Sequence, residues 1–139
     1  MRYLLDVNVL VAWGWQDHAD HERTAAWIAK EKSKRGNLLL TSAIPQLGFV
    51  RVSAQRSGGH VSVTEASRTL AGMLASLGAR HAFVADNIDS AVFPVWCNNA
   101  ASRTTDAHLI QLAKSSDALM ATLDHGIPGA FLIPLRTKQ

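Results

Sequence analysis

Asp6, Asp106 and Asp124 are the side chains in this 139-residue sequence whose placement points to chemistry. Asp6 ends the apolar run Tyr3-Leu4-Leu5. Asp124 ends Leu119-Met120-Ala121-Thr122-Leu123, and Asp106 falls in the first turn of a helix expected over Thr104–Ala113. In open α/β sheets ligands bind beyond the carboxyl ends of the strands, so an ordinary topology brings all three acids to one rim. Converging carboxylates repel one another, and the natural neutraliser is a hard, oxygen-seeking cation, Mg²⁺ or Mn²⁺. Such an ion orients and activates a water and polarises a phosphoryl oxygen. Each acid also has a local reading: Asp6 as the cap of a helix starting near Asn8, Asp106 as a first-turn dipole residue, and Asp124 as a turn acid before His125-Gly126. The shared rim separates the chemical reading from the local ones.

Positioning these acids requires short buried strands alternating with helices, and the chain reads that way. After the first strand and a turn into helix, His21 to Lys34 reads as a helix with a basic end, stopped by Gly36-Asn37. Leu38-Leu39-Leu40 is a second strand. Thr41 or Ser42 can cap the helix that follows, with Pro45 in its first turn, and Ser57-Gly58-Gly59 closes it. A further helix begins at Thr64, His81–Ala85 reads as a third strand followed by Asp86, and Thr104 or Thr105 can cap the helix bearing Asp106. Leu119–Leu123 and Phe131–Pro134 complete the strands, while Ser90 to Ala101 is ambiguous around Pro94. The expected fold is a three-layer α/β/α sandwich with a mainly parallel central sheet of four to five strands, one domain over residues 1–139.

Composition narrows the class. With 47% hydrophobic and 18% charged residues the chain is too apolar for disorder. The single Cys97 cannot form an internal disulfide, no Cys/His metal spacing is present, and a reducing, cytoplasmic setting is expected. No run of about 20 apolar residues is available to span a bilayer, and the early apolar stretch lacks a signal-peptide core. The net charge of +3 is a weak pointer to an anionic partner.

Leu4-Leu5-Asp6-Val7-Asn8-Val9-Leu10, Thr105-Asp106-Ala107-His108-Leu109 and Ala121-Thr122-Leu123-Asp124-His125-Gly126 resemble, in order, three signature blocks of the PIN-domain nucleases. More narrowly they resemble the toxin member of a VapBC-type toxin–antitoxin pair. The resemblance spans essentially the whole chain. It implies a PIN-like fold and a metal-dependent endoribonuclease in which Asp6, Asp106 and Asp124 gather around Mg²⁺ or Mn²⁺. It also implies supporting roles for Asn8, Thr105 and Thr122. Where the family usually has a Glu on the helix after the second strand, this sequence has Gln46, which adds no charge. Either three acids suffice, with Gln46 as a neutral polar neighbour, or the site is impaired and the protein is a PIN-like interaction module. Asp86 is the best placed of Glu65, Asp86 and Asp89 to restore the missing charge. His108, two residues beyond Asp106, points away from that acid.

Arg103 and Arg51 are the expected phosphate contacts, with Arg56 and the Lys30–Arg35 run as further candidates. Trp13, Trp15 and Trp27 raise the expectation of a groove for a partner helix, with one of Trp13 and Trp15 leaving the core. The resemblance further implies a cognate antitoxin lying over the acids, operator DNA bound only through that antitoxin, and a toxin homodimer within a heterotetramer or larger assembly. Two rivals that also begin with a strand and an acid fit poorly. A haloacid-dehalogenase-type phosphotransferase wants an acid where Asn8 stands, and a receiver domain wants adjacent early acids and a late lysine.

Overall fold

In the computed structural model, residues 1–89 and 93–136 are described. The central strand β1 (Arg2–Leu5) lies between β2 (Leu38–Thr41) and β4 (Leu119–Thr122). The outer strands are β3 (His81–Phe83) and β5 (Phe131–Leu132), and all neighbours are parallel in the order β3-β2-β1-β4-β5. Leu4 pairs in register with Leu40 and Met120, and Leu5 with Ala121. Side chains alternate across a strand, so this register sorts them into two cores. Tyr3, Leu5, Leu39 and Ala121 pack in one, and Leu4, Leu40 and Met120 in the other. A strand buried on both faces has to be apolar throughout, which is why these runs carry no polar alternation.

The first core is covered by α1 (Val7–Gly14), α2 (His21–Lys32), α3 (Ala43–Arg56) and α4 (Val63–Ala75), through Val9, Leu10, Trp27, Ile28, Phe49 and Leu70. The second is covered by α5 (Thr104–Ser115), through Leu109, Ile110, Leu112 and Ala113. Among the described residues the expected three-layer α/β/α sandwich is therefore present, with five strands, all parallel. No helix among the described residues is long and apolar enough to cross a membrane.

Several boundaries differ from expectation. The third, fourth and fifth strands end two, one and two residues early, at Phe83, Thr122 and Leu132. The backbone outlives the strand only briefly: the Val84 N–H donates to the Thr41 carbonyl at 2.8 Å and the Ile133 N–H to that of Thr122 at 3.0 Å. Pro134 then has no N–H to continue. Helix α4 starts one residue before Thr64, because the Ser62 hydroxyl caps it by accepting the Glu65 N–H at 3.0 Å. Neither Thr104 nor Thr105 caps α5. The chain enters that helix from a 3₁₀ turn over Ala101–Arg103, and the Thr104 hydroxyl donates back to the Ala101 carbonyl at 3.0 Å. Ser42 stands at the cap position of α3, but its side chain makes no capping bond. A further 3₁₀ turn covers Val95–Cys97 in the ambiguous stretch, of which 90–92 lie outside the described residues.

The tightest crossing is that of α1 on α3. A Cβ at Gly48 would stand 2.5 Å from Val7 Cγ2, and one at Gly14 would stand 2.7 Å from Phe49 Cε2. Val7 is the first residue of α1, so Gly48 lets α3 approach the helix start that carries Asp6. Overpacking of this kind costs about 1–3 kcal/mol. Gly48→Ala is therefore expected to lower the Tm by about 5–10 °C in thermal denaturation, and an unchanged Tm would show that the crossing relaxes freely.

Candidate active site

The acid at the end of β1 is positioned by both of its oxygens. Asp6 is the N-cap of α1: Oδ1 accepts the Val7 N–H at 2.7 Å, and Oδ2 accepts the Thr122 hydroxyl at 2.9 Å. The helix-cap reading and the site reading of Asp6 thus hold together, since capping fixes one oxygen and the second is turned toward β4. Thr122 is fully used. Its hydroxyl donates to Asp6 and accepts from Asn8 Nδ2 at 3.1 Å and from the Asp124 N–H at 3.1 Å. Asn8 completes the clasp by accepting the Leu123 N–H at 3.1 Å. One hydroxyl and one carboxamide therefore join the start of α1 to the end of β4, and they set the position of both Asp6 and the backbone of Asp124.

Asp6 is 6% exposed, and its carboxyl is pushed up to about 6. Burial is the main cause, Asp106 and Asp124 add to it, and the bonds from Thr122 and Val7 oppose it. Asp106, in the first turn of α5, is also raised, by burial and by Asp124, against the pull of Arg103. The Arg103 guanidinium lies 3.3 Å from Asp124 Oδ2 and 3.8 Å from Asp106 Oδ2. The structure thus places Asp6, Asp106 and Asp124 at one rim, within reach of each other's charge. One of the two arginines expected to hold phosphate is already seated against two of them.

The donors offered here are carboxylate, carboxamide and hydroxyl oxygens, the set a hard divalent cation takes. Among the described residues no three His, Cys, Asp or Glu side chains form a ready-made metal cage. The raised carboxyl of Asp6 marks where a positive charge would be most stabilising.

The remaining expected residues fall around this centre in different ways. Gln46 Nε2 donates to Thr41 Oγ1 at 2.9 Å, and that hydroxyl lies 2.7 Å from His81 Nε2. The Thr41 hydroxyl and the His81 ring share one hydrogen bond, whose direction follows the ring tautomer. Burial depresses the His81 pKa. Gln46 therefore links α3 to β2 and β3, and among the described residues no hydrogen bond joins it to Asp6. Asp86 is engaged by His108, whose Nε2 stands 2.7 Å from Asp86 Oδ2, and its other oxygen accepts the Ile88 N–H at 3.2 Å. Its charge is not among those acting on Asp6. His108 indeed faces away from Asp106, as expected, but it has a partner the sequence did not reveal.

Thr105 is exposed and, with Arg51, Val7, Leu47, Gly48 and Val63, lines a groove of about 670 Å³. Arg51 makes no ion pair among the described residues, whereas Arg56 pairs with Asp17 at 3.0 Å. Trp27 and Trp15 line different hollows, Trp27 one with Tyr3 and Phe131 and Trp15 one with Gly14 and Phe49. Trp27 is buried against Tyr3 and Phe131, with ring centroids 5.0 and 5.8 Å away. Trp13 and Trp15 are both half-buried against the same core, so neither has left it. Trp15 lies past the end of α1, where helical spacing no longer governs it. There it donates to Ser53 Oγ at 3.0 Å and lies beneath the Arg56 guanidinium at 4.9 Å.

No family model matches the chain. Individual proteins do. Ribonuclease VapC44 of Mycobacterium tuberculosis is 39% identical over 143 aligned positions, covering 100% of this chain and 96% of that protein. Ribonuclease VapC39 of the same organism is 37% identical over 129 positions, 89% of each chain. Ribonuclease VapC38 is 32% identical over 126 positions, 89% of this chain and 86% of that one.

Proposed function

The chain belongs to the VapC family of ribonucleases, and from that premise we infer that it is the endoribonuclease toxin of a toxin–antitoxin pair, hydrolysing RNA until a cognate antitoxin blocks it. The observation that carries this reading is the rim of three acids, above all a buried Asp6 whose carboxyl is pushed up to about 6 with Asp106 and Asp124 beside it. Family membership and this rim together disfavour the alternative of a binding-only module, whose motive was Gln46.

Asp6, Asp106 and Asp124 would hold Mg²⁺ or Mn²⁺, which supplies Lewis-acid charge for the phosphoryl oxygens and acidifies a coordinated water. Asn8 and Thr122 orient Asp6 and restrain the turn that carries Asp124. Gln46 acts at one remove, through Thr41. Arg103 and Arg51 contribute positive charge for the RNA backbone, Arg103 by exchanging its carboxylate partners for phosphate as substrate arrives. Water adds to phosphorus, the bond to one ribose oxygen breaks, and that oxygen takes up a proton. A single domain over 1–139, a cytoplasmic location, a homodimer and operator contact made only by the antitoxin complete the reading.

Because water is the nucleophile, each cut is expected to leave a phosphate monoester on one fragment and a hydroxyl on the other. Mass analysis of cleaved oligoribonucleotides reads this directly. Fragments ending in a 2′,3′-cyclic phosphate would instead show attack by the neighbouring ribose hydroxyl and overturn the proposal.

A further inference from the structure

On the approach to α5 the chain encloses a second hollow, of about 430 Å³, lined by Phe93, Cys97, Asn98, Asn99, Ala101 and Thr104. The Ala101–Arg103 turn connects it to the acids. Ala101 lines the hollow, while Arg103 reaches Asp124 and Asp106. Cys97 in this lining is 3% exposed and Phe93 is 37% exposed. Asn98 and Asn99 are exposed, and among the described residues their carboxamides make no hydrogen bond within the protein. The lining thus combines two solvent-facing carboxamides, each with donors and an acceptor, with an aromatic ring and a buried thiol.

A flat group with a π face and a mixed donor–acceptor edge matches these walls, and an unpaired nucleobase has both features. We propose that the hollow is a nucleobase-reading subsite. It accepts one unstacked base next to the scissile phosphate, with Phe93 against its face and Asn98 and Asn99 on its edge. The subsite thereby sets part of the sequence preference of cleavage. This rests on the acid rim being the site of RNA cleavage.

The test uses single-stranded oligoribonucleotides randomised around the cut, with the full-length protein and its Phe93→Leu, Asn98→Ala, Asn99→Ala and Asn99→Asp variants. Sequencing of the cut ends reads the base preference at each position. The Ala variants are expected to lower cleavage of the preferred sequence about tenfold to a hundredfold and to flatten the preference at one position alone. Asn99→Asp removes two donors and is expected to change which base is favoured. Both asparagines are exposed, so melting temperatures stay at the wild-type value. A preference profile unchanged in every variant, or a fall of equal size for all sequences, would overturn the proposal, including when the variants lose affinity for a protein partner instead. Binding of the same oligonucleotides to Asp6→Asn, followed by fluorescence anisotropy, separates the two claims. Undiminished cleavage by Asp6→Asn would refute the acid rim. Base discrimination in binding that Asn98→Ala and Asn99→Ala leave intact would refute the subsite alone.

Discussion

Asp6→Asn is expected to cleave RNA at least about a thousandfold more slowly than the wild type and yet to melt at a higher temperature at pH 8 in the absence of divalent ions. Both effects have one cause. The Asp6 carboxyl ordinarily titrates at 3.8 and in the fold is pushed up to about 6, so the folded state prefers the protonated acid. Below the ordinary value the group is neutral in both states and carries no penalty. Between 3.8 and about 6 the penalty grows as the unfolded chain ionises first, and above that it is constant, about 2–3 kcal/mol. Asn keeps an N-cap acceptor for the Val7 N–H, a role it fills as well as Asp, and never carries the charge. The difference in Tm, followed by scanning calorimetry from pH 8 to pH 4, is therefore expected to shrink as the pH falls. A variant less stable than the wild type at pH 8 would show that the bonds from Thr122 and Val7 outweigh burial. Affinity for the divalent ion is expected to decline below pH 6, because the ion then has to displace a proton from Asp6.

Thr122→Val, nearly isosteric, should lower activity or divalent-ion affinity about 10- to 100-fold, the usual cost of removing a group that orients a ligand. It deletes the donor to Asp6 and strands Asn8 Nδ2 and the Asp124 N–H without their acceptor. The buried Asp6 oxygen that loses its donor also lowers stability, by about 1–3 kcal/mol. A less structural readout is the acid limb of the pH profile of divalent-ion binding, where proton and ion compete for Asp6. The Thr122 bond holds the Asp6 pKa down, so its loss moves the limb to higher pH, while Thr122→Ser, which keeps the hydroxyl, returns it toward the wild-type position. A limb unmoved in Thr122→Val would remove Thr122 from the account of Asp6.

The sheet was legible in the sequence because Leu4-Leu5, Leu38-Leu39-Leu40 and Met120-Ala121 are buried on both faces and admit nothing polar. The rim followed from that, since an acid placed just after such a run has few other places to stand. Boundaries were less legible. The hydrogen-bond ladder ends at Thr122 although Leu123 continues the apolar pattern, and a 3₁₀ turn takes over the start of α5 where two threonines suggested a cap. The partners of Gln46 and Asp86 were not legible at all. Gln46 meets His81 through Thr41, and Asp86 meets His108, contacts between elements far apart in the chain that no local spacing encodes. Trp27 was misplaced for the same reason, because its neighbours Tyr3 and Phe131 come from β1 and β5.

The most direct measurement is cleavage of a single-stranded RNA by purified wild type and Asp6→Asn, each stripped with a chelator and then returned to Mg²⁺ or Mn²⁺. The account predicts that chelation stops the wild type, that either ion restores it, and that Asp6→Asn stays inactive throughout. Cleavage that persists in the chelator, or an Asp6→Asn protein restored to the wild-type rate, would contradict it.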